Sequence, residues 1–145
     1  MTIREAQPSE RELLKQGFLE LWPDIDFEDI ENELEAVFTG TNGSPTFIAL
    51  DSSTPIGFIN LRTRDYAEMC ETSPVLYIEG WWVEENYRGR GVGAALVHAA
   101  EAWGKNNGFQ EIASDSYADN TQSIQAHRSL GFSEHPPIVP LYKRL

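Results

Sequence analysis

Residues 87–96 read YRGRGVGAAL, and this stretch decides the fold. It follows a β-rich run, VLYIEGWWV (75–83), and opens a helical pattern in which Val92, Leu96, Ala99, Ala100 and Trp103 share one face. Gly89, Gly91 and Gly93 lack a Cβ, so the backbone can turn sharply and approach a ligand closely. The first N–H groups of a helix have no partner inside it and favour an anion. Arg88 and Arg90 add positive charge at the same place. The pattern predicts a strand, an anion-binding turn and a helix over 91–107, with a phosphate or diphosphate as the natural guest.

Two other readings of the turn are weaker. A plain strand-to-helix turn needs glycines but not two interleaved arginines. GRGVGA (89–94) also matches the dinucleotide fingerprint G-x-G-x-x-A, with Glu111 at a plausible distance for a ribose contact. That fold places its motif after the first strand and then needs several βαβ units, whereas only 52 residues follow Gly93. No G-x-x-x-x-G-K-[ST] is present, which argues against a P-loop nucleotide hydrolase.

Outward from the turn, residues 2–6 read as a short strand. Pro8 and Ser9 open a helix, with Ser9 as cap and Glu12 three residues on, and Trp22-Pro23 ends it. A second helix covers roughly 26–38. TFIAL (46–50) and IGFINLRTR (56–64) read as a hairpin. Beyond the central helix come a strand at 109–114, a helix at 119–130 capped by Asp119 or Asn120, and a last strand at 138–143. Pro140 confines that last strand to an edge or a bulge. The order β-α-α-β-β-β-α-β-α-β predicts an α+β fold with a mixed, mostly antiparallel sheet and about four helices. Only the strands flanking the 91–107 helix need run parallel.

At 145 residues, the expectation is one domain, 1–145. Eleven basic residues against 23 acidic ones give a net charge of −12. Such a chain repels nucleic-acid phosphates and anionic membranes and attracts cations, so neither nucleic acid nor a membrane is an expected partner. No apolar run approaches the ~20 residues that span a bilayer. The N-terminus has no apolar secretory core, and the single cysteine, Cys70, cannot form an internal disulfide, so the cytoplasm is the expected setting. His98, His127, His135 and Cys70 form no metal-ligand spacing, and no metal is expected.

At this point the sequence resembles the GCN5-related N-acetyltransferases. Arg88-Gly89-Arg90-Gly91-Val92-Gly93 fits their R/Q-x-x-G-x-G/A hallmark. Asn120, Ser123, His127 and Gly131-Phe132 mirror their N-x-x-A-x-x-x-Y-x-x-x-G-F helix. LWP (21–23), SPVLYIEG (73–80), WGKNNGFQEIASD (103–115) and SLGFSE (129–134) look like the aminoglycoside 6′-N-acetyltransferases of that superfamily. The resemblance implies acetyl-CoA as co-substrate, a small polycationic amine as acceptor and a homodimer, to which the C-terminal edge strand offers a route. It places the cofactor on the loop Arg88, Gly89, Arg90, Gly91, Val92, Gly93 and Ala94, on the backbone of Trp81, Trp82 and Val83, and on Asn120.

Acetylation needs a site that binds a cationic amine, helps remove a proton and stabilises the oxyanion. Glu79 lies in an apolar strand run, where a carboxylate is costly. It is the candidate base, and the alternative is a strand whose other face is solvated. Regular alternation puts Tyr77, Glu79 and Trp81 on one face and Ile78, Gly80 and Trp82 on the other. Gly80 hints at a bulge or a close ligand backbone. Asp115, after the strand FQEIAS, is a second catalytic and substrate-binding candidate or an ordinary loop acid. Trp22 and Tyr66, in loops, can stack on a sugar or meet a cation, and Trp22 can equally seal the core. His127, where the family usually has tyrosine, serves as an acid or packs on its helix. Glu134 remains a weaker substrate candidate. A polyamine, a protein N-terminus, or a catalytically silent acyl-CoA-binding module are the competing functions.

Overall fold

The computed structural model describes all residues, Met1–Leu145. They fall into two compact units, Met1–Ser114 and Asp115–Leu145.

The first unit is built on five strands: β1 (Thr2–Glu5), β2 (Thr46–Asp51), β3 (Thr54–Arg64), β4 (Val75–Val83) and β5 (Ile112–Ser114). They lie side by side in sequence order. Neighbours are antiparallel except β4 and β5, which run parallel through a crossover helix. Helices α1 (Arg11–Leu21) and α2 (Phe27–Thr39) cover one face, and α3 (Val92–Asn106) covers the other. The α+β fold with a mixed, mostly antiparallel sheet is as the sequence predicts.

The core on the α1/α2 face is Leu14, Phe18, Ile30, Leu34, Phe58 and Trp82. Phe18 meets Phe58 edge-on at 5.2 Å, and Phe58 stacks on Trp82 at 5.7 Å. Each such apolar side chain contributes about 1.5–3 kcal/mol on full burial. On the α3 face, Val92, Leu96, Val97 and Ala100 are buried at helical spacing.

The first helix begins differently from expectation. Pro8–Glu10 forms a short 3-10 turn before α1, and Ser9 is not the cap. Instead Glu10 reaches back to accept the Gln7 backbone N–H at 2.7 Å. Glu10 is nearly buried and pairs with Arg4 of β1, which holds its carboxyl below the usual range. One carboxylate thus both caps the turn and ties it to the sheet edge.

The second unit contains helix α4 (Thr121–Ser129). Of the two proposed caps, Asn120 does the work, its Oδ1 accepting the Ser123 N–H at 3.1 Å. The strand expected at 138–143 is absent, and residues 132–145 carry no regular structure. Two causes are visible in the sequence. Pro136, Pro137 and Pro140 lack backbone donors, and Ile138-Val139 and Leu141-Tyr142 are adjacent apolar pairs with no strand alternation. Ile138, Val139, Leu141 and Tyr142 are all exposed.

Candidate active site

The site is organised by one irregularity in β4. Asn60 of β3 lies opposite Gly80, and Leu61 lies opposite Ile78, so Glu79 has no partner across the ladder. Glu79 is therefore the extra residue of a β-bulge, which re-aims side chains on either side of it. A Cβ on Gly104 of α3 would lie 2.9 Å from Leu76, and one on Gly93 would lie 2.9 Å from Trp81. Leu76 and Trp81 thus face α3 despite an odd separation. A Cβ on Gly80 would meet Leu21 at 3.2 Å and Phe18 at 3.6 Å, and Trp82 joins the α1/α2 core. The expected division of the strand is corrected accordingly. Trp81 leaves the face of Tyr77 and Gly80 and Trp82 join it, because the extra residue breaks the two-residue period.

Glu79 is not a solvated strand acid. Its side chain is 17% exposed, and its carboxylate meets two arginines of β3. Arg64 donates to Oε1 from Nη2 at 2.7 Å and from Nε at 3.0 Å. Arg62 Nε stands 3.5 Å from the same oxygen, and its Nη2 donates to Glu33 of α2 at 2.8 Å. Arg64 also lies over the Tyr77 ring at 3.6 Å, a cation–π contact. Glu79 is thus a partly desolvated carboxylate already engaged with a cation, suited in kind to an ammonium. Sequence reasoning missed Arg62, Arg64 and Glu33. Arg62 and Arg64 stand two apart on the strand that pairs with β4, which was the available signal. Their contact with Glu79 depends on the ladder register, which the bulge shifts.

The same strand presents an open edge. β5 pairs only with Leu76–Ile78, so no strand of the sheet pairs with Glu79–Val83 on that side. Unpaired main-chain groups there can take an extended ligand as an added strand. Beyond Val83, the Glu85–Tyr87 turn leads into the glycine loop. Gly91 caps α3 with φ 82°, and Gly89 has φ 71°. Nothing lies within 4 Å of where a Cβ would stand on either, and the first turn of α3 carries no acid. This open cradle at a helix start fits a diphosphate. Gly93 is needed for a different reason, since Trp81 packs directly beneath it. Arg88 Nε donates to the Val83 carbonyl at 2.9 Å and so ties the loop to β4. Arg90 lies 5.4 Å from the Tyr87 ring.

The other sequence candidates divide. Trp82 is core, its indole N–H donating to Glu20 at 2.6 Å. Trp22 stacks on Phe18 at 5.2 Å and partly seals the α1/α2 core. Tyr66 is well exposed on the β3–β4 loop, and a hydrogen bond to Glu68 raises its phenol above the usual range. In the second unit, Asp115 is exposed just after β5 in sequence, and Asn120 caps α4. His127 Nδ1 lies 2.8 Å from the Ser123 carbonyl, with the ring edge-on to Phe132, as expected of packing on its own helix. Glu134 pairs with Arg128. No group of three or more His, Cys, Asp or Glu is placed to hold a metal.

The profile of the acetyltransferase (GNAT) family matches residues 8–132, and the chain belongs to that family. Its relatives are narrower in kind. An aminoglycoside N(6′)-acetyltransferase type 1 from Stenotrophomonas maltophilia is 38% identical over 139 residues, 95% of this chain and 90% of that one. Another, from Salmonella enteritidis, is 35% identical over 149 residues, 99% of each chain. The solved structure of AAC(6′)-Iy with the bisubstrate analogue CoA-S-monomethyl-acetylneamine matches at a TM-score of 0.88 and 31% identity, covering 99% of this chain and 98% of that one. The acetyl donor of the family is acetyl-CoA, and the cradle before α3 fits its diphosphate.

Left-handed backbone costs a residue with a Cβ about 1–2 kcal/mol, roughly a tenfold change in an equilibrium that needs that geometry. Gly91→Ala, through that strain, and Gly93→Val, through the clash of its side chain with Trp81 beneath the helix start, are therefore expected to weaken coenzyme A binding by about tenfold or more in isothermal titration. Gly108→Ala places the same strain, at φ 84°, beyond the other end of α3 and is the control. Equal binding by all three variants would contradict the assignment of the cradle.

Proposed function

We propose that this protein transfers the acetyl group of acetyl-CoA directly to the 6′-amino group of aminoglycoside antibiotics. The observation that carries the reading is the mostly buried carboxylate of Glu79 at the β4 bulge, on the strand whose far edge is open. Its relatives named as aminoglycoside N(6′)-acetyltransferases support the substrate class. The net charge of −12 suits a polycationic acceptor and argues against nucleic acid and anionic membranes as partners.

In this reading an ammonium of the acceptor replaces the Arg64 guanidinium at Glu79. The carboxylate orients the nitrogen and takes its proton, directly or through one water. The nitrogen lone pair forms the new bond to the acetyl carbon, the C–S bond breaks, and the leaving thiolate takes up the second proton that the nitrogen sheds, directly or through water, to give the coenzyme A thiol. Arg88, Gly89, Arg90, Gly91, Val92, Gly93 and Ala94 hold the diphosphate, the main chain of Trp81, Trp82 and Val83 borders the pantetheine arm, and Asn120 adds a cofactor contact. Asp115 is the second carboxylate for substrate ammonium groups, and Trp22 and Tyr66 flank the sugar rings. Residues 1–145 act as one acetyltransferase domain, a reading favoured by the family match running across both compact units. The single thiol, Cys70, suits a reducing cytoplasm.

The test is thiol release from acetyl-CoA with kanamycin, spermidine or a short peptide as acceptor. Kanamycin is expected to be the best acceptor. Glu79→Gln is expected to lower kcat/KM by about a hundredfold or more while coenzyme A binding is kept. Absence of kanamycin turnover at any reasonable pH would sink the reading. Turnover of spermidine alone would favour a polyamine acetyltransferase.

The exposed apolar residues of the C-terminal segment support a homodimer, since a monomer rarely leaves such a stretch uncovered. Sedimentation is expected to give twice the 16.4 kDa chain mass, and ending the chain at Phe132 to give one chain. A full-length monomer would contradict this.

A further inference from the structure

The β3–β4 loop, residues 65–74, has its two ends fixed by different means. It leaves β3 directly after Arg64, which holds Glu79. Ala67 is buried with Val75 and Tyr77, and Cys70 N–H donates to the Ala67 carbonyl at 3.1 Å. Tyr66 and Glu68 project from this first half, and both are exposed. The second half is held from another element. Glu111, immediately before β5, turns its carboxylate onto the loop. Its Oε1 accepts the main-chain N–H of Glu71 at 2.9 Å, that of Thr72 at 2.6 Å, and the Thr72 hydroxyl. Its own carbonyl accepts the Leu76 N–H at 3.2 Å, where β4 begins.

Three donors on one carboxylate oxygen form a charge-assisted clamp, stronger than neutral hydrogen bonds of the same number. The Thr72 hydroxyl, then the Thr72 and Glu71 N–H groups, hold the Glu111 carboxyl below the usual range. The Cys70 thiol is pushed up by burial and by Glu111 beside it. Glu111 belongs neither to the apolar core nor to the anion cradle, so its side chain is committed to this loop.

We propose that Glu111 is a positioning residue for the acceptor amine: by clamping residues 71–72 it fixes the loop that carries Tyr66 and begins beside the Arg64–Glu79 pair. The inference rests on the reading that Glu79 and Tyr66 meet the acceptor. A clamp that served stability alone would shift unfolding without separating the two substrates.

Initial rates of the full chain with acetyl-CoA and kanamycin test it, together with amide exchange of residues 66–72. Glu111→Ala is expected to raise the KM for kanamycin about tenfold, leave that for acetyl-CoA within about twofold, and speed exchange across the loop. Glu111→Gln, whose amide oxygen can still accept, recovers most of the loss. Thr72→Val removes one donor without touching β5, and gives a smaller rise of the same kind should Glu111→Ala fail to fold. Faster exchange with unchanged KM for kanamycin overturns the proposal, as does an equal change in both KM values. If the wild type itself does not acetylate kanamycin, the functional reading fails instead, and the two failures are thereby told apart.

Discussion

One surplus residue in a β-ladder governs this site. Because Glu79 has no partner on β3, the residues after it face opposite to strict alternation from those before it. Trp81 is thereby sent to the α3 face, where it supports the start of that helix beneath Gly93, and Trp82 into the α1/α2 core. The carboxylate at the bulge itself is left among Arg62, Arg64 and Tyr77, largely out of water. Without the extra residue, Trp82 would change faces with everything after position 79. The aromatic core and the helix start would then lose their partners together.

The proposed function asks a strongly acidic chain to hold both an anion and a cation. The anion end is local: a helix N-terminus, two glycines with positive φ, and Arg88 and Arg90. The cation end, in the function proposed, is the carboxylate of Glu79, in a chain whose net charge of −12 favours cationic partners. β4 joins the two, since Arg88 is tied to Val83 and Val83 follows Glu79 by four residues. In the free protein the arginines neutralise Glu79, so a buried carboxylate is never left unpaired.

The fold was legible because its signals are periodic and local. The apolar face of α3, the hairpin β2–β3 and the glycine turn each sit within one short window. The turn also predicted an open loop before α3, and the left-handed Gly89 and Gly91 and the acid-free first turn of the helix have that form. What could not be read was register. Gly80 hinted at a bulge, but a one-residue slip leaves no mark that separates Glu79 from Gly80 as the surplus position. The companions of Glu79 on β3 were hidden for the same reason. The strand expected at 138–143 does not form because its β-prone residues sit among Pro136, Pro137 and Pro140, which have no N–H to give a ladder. The clamp made by Glu111 leaves no local mark in the sequence, since its partners lie some forty residues earlier in the chain.

The most direct test is a crystal structure of this chain with coenzyme A and kanamycin bound together. The account predicts the 6′-nitrogen within roughly 2.6–3.2 Å of the Glu79 carboxylate, or one water away, with Arg64 displaced and the diphosphate on the N–H groups that open α3. An acceptor amine seated elsewhere while Arg64 still holds Glu79 would contradict it.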